Sequence, residues 1–256
     1  MKKNKPLILV VNDDGIDAMG IRFLSKVMEY IGEVYVVAPD SNRSGSSHSM
    51  TLHKEICVRN VDEEKTQFTC SGTPVDCVKL AFNKILPQKP DLCVSGINHG
   101  SNHSVNGLYS GTLHAAMEAT IQGVSSISFS HLSYNDKIDF HPFRKIIKSI
   151  SEKILCNKLP EGITLNINFP DVSYDQIEGV KLCNQGKGLW EEHFKLTNTS
   201  VNQYNYMITG KFNDNKKDIF TDSWALANNF ISIVPVGLNP TKSNLLDKLK
   251  YLENGF

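Results

Sequence analysis

Unbroken apolar runs alternate with amphipathic stretches along most of the chain. The runs "LILVV" at 7–11, "VYVVA" at 34–38, "DLCVS" at 91–95, "SISFS" at 126–130 and "TLNINF" at 164–169 are short and bounded by polar turns. Runs that do not alternate suit strands buried on both faces, as in a parallel sheet. Between them, Ile21, Leu24, Met28 and Ile31 recur at helical spacing over 20–31. A second helix is expected over 74–86, with Thr73 as N-cap, Pro74 at the first helical position and Asp76 in the capping-box place. "YSGTLHAAMEATIQG" reads as a third, with Ser110 or Thr112 near its N-cap and Gly123 just past its end. Strand–helix–strand repetition predicts an α/β fold with a doubly wound, mostly parallel sheet.

From about residue 171 the pattern changes. "VNQYNYMITGKFNDNKKD" alternates in part around a polar tip, which predicts an antiparallel hairpin projecting from the core, and "NLLDKLKYL" reads as a terminal helix. The chain is read as one domain over 1–256, with a core to about 170 and the hairpin and terminal elements over about 171–256.

Length and charge narrow the function classes. At 256 residues the chain is long enough for one substantial core. Lys plus Arg number 27 and Asp plus Glu 27, with no basic stripe, which argues against a partner such as duplex nucleic acid. The apolar run after "MKKNKP" stops after five residues at two aspartates, too soon for a signal peptide, and no run approaches the ~20 residues of a membrane span. A soluble, cytoplasmic protein is expected. Six scattered cysteines without a C-x-x-C pair suggest neither a disulfide framework nor a zinc site.

In an open α/β sheet the ligand site lies beyond the carboxyl ends of the strands. After the first run come Asn12, Asp13, Asp14 and Gly15; after the second, Asp40, Asn42, Arg43 and Ser44; after the third, Gly96, Asn98, Gly100 and Asn102. Two adjacent carboxylates at a buried strand end repel one another unless a cation is present or they serve as turn and helix caps. Carboxylates with a hydroxyl and an amide oxygen are donors that Mg²⁺ or Mn²⁺ takes, and Ser44 and Asn98 are placed to supply the last two. The amides at Ser110, Gly111 and Thr112, opening the third helix, form either an ordinary cap or a phosphate site. "NDDGIDAMG" is not the G-x-G-x-x-G of a dinucleotide site, and no P-loop motif occurs. His48 is read as structural first, with proton donation the competing role.

Five ordered stretches, "ILVVNDDGIDAMGI", "VVAPDSNRSGSSHSMT", "SGTPVDCVKLA", "PDLCVSGINHGSN" and "YSGTLHAAMEA", resemble the SurE family, the stationary-phase survival proteins, which are metal-dependent 5′(3′)-nucleotidases. "TDSWALANNFISIVP" resembles a late segment of the same family. The resemblance implies a Rossmann-like core and one divalent metal ion per subunit, Mg²⁺ or Mn²⁺, held by Asp13, Asp14, Ser44 and Asn98. It implies removal of phosphate from nucleoside monophosphates, with short polyphosphate cleaved by some members. It also implies a homodimer or homotetramer that exchanges carboxy-terminal elements.

The chain departs from the family's usual patterns at Ser101, Ser104, Val234 and Asn239, where proline, glycine, threonine and aspartate are common. Asp13 or Asp14 is expected to orient or deprotonate a water, with attack by an aspartate to give a phosphoenzyme the alternative. Asn12, Gly15, Arg43, Gly96, Asn102 and the Ser110–Thr112 turn are expected around the phosphate and substrate. The competing readings are an exopolyphosphatase and a nucleotide sensor without turnover.

Overall fold

The structure is a computed structural model that describes residues 5–135, 138–214 and 218–253. The apolar runs become strands in the order the pattern predicts. They begin with β1 (Leu7–Val11), helix α1 (Met19–Met28), β2 (Glu33–Pro39), and the short pair β3 (Val58–Asn60) and β4 (Gln67–Cys70). Helix α2 (Pro74–Leu80), β5 (Leu92–His99), α3 (Gly111–Ile121), β6 (Ser126–His131), α4 (Arg144–Asn157) and β7 (Ile163–Phe169) follow. The last part contains β8 (Gly179–Leu182), the hairpin of β9 (Leu189–Ser200) and β10 (Gln203–Asn213), α5 (Asp222–Ala227), β11 (Phe230–Gly237) and α6 (Leu246–Leu249).

Nine strands form one sheet in the order β3-β4-β2-β1-β5-β6-β7-β11-β8. The strands from β4 to β7 run parallel, while β11 meets β7 antiparallel and β3 meets β4 antiparallel. The sheet therefore reaches past residue 170, the limit set for the core by the change in pattern. β8 and β11 join it from the later segment, and among the described residues only β9 and β10 stand apart, as the projecting hairpin. β11 contains Pro235 and ends exposed, which hides its buried first half from a search for apolar runs.

Alternate β1 side chains serve two cores. Ile8 and Val10 pack with α1 and α4 residues such as Ile21, Leu24 and Ile147, while Leu9 and Val11 pack with Cys77, Val78, Ala115 and Ala119 of α2 and α3. The close approach of α1 to the sheet requires Gly20: a Cβ there would lie 1.9 Å from the Ile97 carbonyl oxygen. At α2 the capping box forms as expected, with Asp76 N–H donating to Thr73 Oγ1 at 3.2 Å and Thr73 N–H donating to Asp76 Oδ2 at 2.8 Å. The helical backbone then continues as a wider π-helical turn over Ala81–Ile85. Four cysteines are buried, and Cys57 and Cys156 lie at the surface. Among the described residues no helix is long and apolar enough to cross a membrane.

Candidate active site

The carboxyl edge of the sheet opens where β1 and β5 end side by side. Asn12 closes the turn after β1 with both ends of its amide. Its Oδ1 accepts from the Gly15 N–H at 3.2 Å and its Nδ2 donates to the Gly15 carbonyl at 2.8 Å. Gly15 has φ +102°, a conformation that glycine adopts at little cost. Held by this turn, Asp13 is 3 % exposed and its main-chain oxygen accepts from the Arg43 N–H at 2.7 Å, which draws the loop after β2 over the strand end.

Asp13 faces the start of α3. The Thr112 hydroxyl donates to its Oδ1, and the same hydroxyl lies 3.3 Å from Asn98 Oδ1. Gly111 allows this contact, since a Cβ there would come within 2.8 Å of the Asp13 side chain and of Ser46 Oγ. Asn98 spends its N–H groups on the carbonyls of Gly100, at 2.7 Å, and His99, at 3.2 Å, which leaves its oxygen turned toward Thr112. Gly96, at φ +128°, sits at the irregularity in the β5–β6 register that precedes Asn98; a Cβ there would be 2.3 Å from the Phe129 carbonyl oxygen. Asp14 accepts from the His99 N–H at 3.4 Å and lies 3.6 Å from His99 Nδ1.

Burial and the neighbouring Asp14 push the Asp13 carboxyl up from 3.8 to about 6, against the lowering effect of hydrogen bonds from Thr112. A cation beside the pair would remove that cost. Two carboxylates, the Ser44 hydroxyl and the inward Asn98 oxygen are all hard oxygen donors, so the residues present fit a hard divalent ion. The described residues contain no metal-binding group of three or more His, Cys, Asp or Glu side chains, so such an ion would depend on the serine and the amide as well.

A cavity of about 670 Å³ opens over these groups, and Asp13, Asp14, Ser44, Asn98, Asn102 and Ser110 line it. Asn102 is locked at its main chain: its N–H donates to Asn168 Oδ1 at 2.8 Å and its carbonyl accepts from Asn166 Nδ2 at 2.8 Å. Its own Nδ2 donates to Ser130 Oγ at 2.8 Å, which leaves the amide's second N–H for a ligand.

Most of the other residues singled out in the sequence stand behind the cavity, whose edge Ser110 reaches. Asn12, Gly15, Gly96 and Gly111 shape it through the contacts above. The Thr112 hydroxyl and main chain both support Asp13, and Ser110, the N-cap of α3, accepts from the Leu113 N–H at 2.9 Å. Two groups of the anion turn are thus already engaged. Arg43 points elsewhere, donating to the Ser71 carbonyl at 2.9 Å beside Asp40 at 3.5 Å. His48 Nε2 lies 3.1 Å from the buried Glu118 carboxylate, which also takes Lys79 Nζ at 2.7 Å.

Sequence reasoning missed the rest of the wall, including Asn106, Tyr109, Tyr134 and Trp190. It also missed the clasp behind the wall. Ser104 sits at φ +53°, a conformation glycine favours, and its hydroxyl accepts from the Gly188 N–H at 2.7 Å. Its N–H donates to the buried Asp222 at 2.9 Å, and its carbonyl accepts from Gln185 Nε2 at 2.9 Å. A serine where the family commonly has glycine thus becomes a tie to the late segment. The "TDS" triplet, with Thr221 capping α5, was the available signal for Asp222. Of the other departures, Ser101 Oγ lies 2.7 Å from His103 Nδ1, Asn239 Oδ1 accepts from the Thr241 N–H at 2.9 Å, and Val234 is buried opposite Asn166 of β7.

A doubly wound sheet with an acidic, oxygen-lined cavity at its strand ends defines the class: an α/β protein that takes its ligand at the carboxyl edge. Residues 8–192 match the family model described as Survival protein SurE. A protein of Flavobacterium johnsoniae named 5′-nucleotidase SurE is 48% identical over 252 residues, which is 97% of each chain. One of the same name from Chlorobium limicola is 39% identical over 247 residues, 96% of this chain and 95% of the other. The crystal structure of the SurE protein from Aquifex aeolicus superposes with a TM-score of 0.85 at 37% identity, over 97% of this chain and 100% of that one. The chain belongs to the SurE family.

Proposed function

We propose that the protein is a metal-dependent phosphomonoesterase that removes phosphate from nucleoside 5′-monophosphates in the cytoplasm. The observation that carries this reading is the buried Asp13, whose carboxyl is raised beside Asp14 and Asn98 at the floor of a cavity large enough for a nucleotide. The relatives named 5′-nucleotidase SurE, alike over nearly the whole chain, support the substrate class.

Asp13, Asp14, Ser44 and Asn98 would hold one Mg²⁺ or Mn²⁺ per subunit. Bound there, the ion would supply Lewis acidity toward a phosphoryl oxygen and an attacking water. Asp14, the less buried carboxylate, would orient the water and take its proton as the new P–O bond forms, the proton passing to the nucleoside oxygen as the ester P–O bond breaks. Asp13 stays fixed by Thr112. Asn102 holds phosphate oxygens with its remaining N–H, and the positive end of α3 favours the anion. A donor placed on developing charge is typically worth about 2.7–4 kcal/mol.

The test is phosphate release from nucleoside monophosphates and tripolyphosphate with Mn²⁺, with Mg²⁺ and with EDTA. Metal-dependent release from monophosphates, lost in Asp14→Asn while circular dichroism is unchanged, supports the reading. Release from tripolyphosphate alone would make the protein an exopolyphosphatase, and none from folded protein a sensor.

The same reading includes association into a homodimer or homotetramer by exchange of the hairpin and terminal elements. β9 and β10 expose Phe194, Leu196, Tyr206, Met207 and Ile208, and an isolated two-stranded ribbon is marginal in water. Sedimentation of the full chain against one lacking the hairpin tip tests it; a monomer at micromolar concentration would refute it.

A further inference from the structure

The cavity walls differ in chemistry. The strand ends bring carboxylates, amides and hydroxyls, while the remaining wall brings Tyr109, Tyr134 and Trp190, which are 56%, 73% and 39% exposed. Exposed aromatics beside a polar floor lack the burial that would explain them as core. Trp190 is also held in place. Its indole N–H donates to Asn106 Oδ1 at 2.7 Å, and its ring packs on Phe212, its cross-strand partner, at 5.4 Å between centroids. Two residues earlier, Gly188 is tied to Ser104, and a Cβ on Gly188 would lie 2.3 Å from the Phe212 ring. The base of the projecting hairpin is thus fastened to the loop that carries Asn102. Trp190 is thereby held beside the groups at the strand ends.

We propose that Trp190, with Tyr109 and Tyr134, is the nucleobase seat, and that it makes the site prefer purine over pyrimidine nucleoside monophosphates. The proposal rests on the phosphomonoesterase reading for its substrate. Because the indole N–H is already spent on Asn106, Trp190 offers ring surface and no donor. Recognition by ring surface tolerates different base edges and strengthens with the area stacked, so the two-ring bases gain most. A cavity of about 670 Å³ has room for base and sugar as well as phosphate.

The test compares AMP, GMP, CMP and UMP with ribose 5-phosphate, which keeps the sugar and phosphate and lacks the base, in wild type, Trp190→Ala and Trp190→Phe with Mn²⁺. Stacking on one aromatic side chain predicts that the ratio of kcat/KM for AMP to that for ribose 5-phosphate falls about tenfold in Trp190→Ala, and that Trp190→Phe restores most of it. An unchanged ratio, or a wild type without purine preference, overturns the proposal.

A second measurement is independent of turnover. The chain has two tryptophans, and the other, Trp224, packs on Phe230 beside β11. In a Trp224→Phe background, AMP with Mn²⁺ should change the remaining emission and ribose 5-phosphate should not. Equal responses, or none to AMP, overturn the seat. A chain that releases no phosphate from any monoester yet shows the AMP-specific response would refute the enzyme reading and leave the seat standing.

Discussion

Replacing Asp13 by asparagine should stabilise the metal-free protein while abolishing its activity. The Asp13 carboxyl, raised from 3.8 to about 6 by burial and by Asp14, is harder to ionise in the folded chain than in the unfolded one. Its stabilising contribution is full below the unfolded value and is lost as the pH climbs through the folded one. At about 1.36 kcal/mol per pKa unit, an ionised Asp13 costs about 3 kcal/mol at pH 7.5. Asparagine is uncharged, has nearly the same shape, and keeps an oxygen for the Thr112 hydroxyl. Urea unfolding in EDTA at one fixed protein concentration should therefore show Asp13→Asn more stable by up to about 3 kcal/mol at pH 7.5. The gap should close to under about 1 kcal/mol at pH 4, where the wild-type carboxyl is protonated in the native state. Mn²⁺ should raise the midpoint of the wild type and leave that of Asp13→Asn nearly unmoved. A variant that is no more stable at pH 7.5, or one whose gain is the same at both pH values, would refute the argument that charge burial at this strand end awaits a cation.

Two further predictions concern the scaffold. Asp222→Ala removes the buried acceptor of the Ser104, Gly186 and Ser223 N–H groups, which lie at 2.9, 2.8 and 2.8 Å. Stranded donors cost about 1–3 kcal/mol each unless water reaches them, so unfolding should shift by at least about 3 kcal/mol, and KM should rise as the loop carrying Asn102 loosens. At Glu118, burial raises the carboxyl, but bonds to His48, Lys79 and Gln122 together hold it below the usual carboxylate range. That stabilisation is present at neutral pH and lost as the pH falls. Glu118→Ala should therefore cost about 1–2 kcal/mol near pH 7, discounted because Lys79 is 38% exposed, and should flatten the acid limb of an unfolding-against-pH curve.

What the sequence made legible follows from how local each determinant is. β1 and β2 appear as continuous apolar runs, while β5, β6 and β7, buried along almost their whole length, interleave Ser, Thr or Asn with their apolar positions, and all five are recognisable without a partner. The strand-end groups follow from the same reading, because a parallel sheet places all its carboxyl ends on one edge and the residue after each run must lie there. Type and position locate Asp13, Asp14, Ser44 and Asn98. Direction is less local. Arg43 follows a strand like the others, yet its long side chain reaches the Ser71 carbonyl, 28 positions away, a choice made by the loop's path rather than by its own neighbours.

The hairpin base shows where local reading ends. "GKGLWEEHF" carries no apolar run and no motif, and its alternation speaks only for a ribbon. What brings Trp190 to the cavity is a set of contacts spanning 84 positions: Gly188 to Ser104, and the indole to Asn106. Each contact joins residues that look ordinary alone. Ser104 in particular reads as a departure from the family pattern until the Gly188 N–H is placed on its hydroxyl. The acidic floor of the cavity is thus written in strand ends that any Rossmann-like sheet must align, whereas the wall that Trp190 supplies is written in a distant ribbon that the sheet does not constrain. The contacts that place Trp190 join it to Asn106 and join Gly188 to Ser104, and neither involves Asp13 or Asp14, so this wall can vary while the carboxylates keep their own ties to Thr112 and His99.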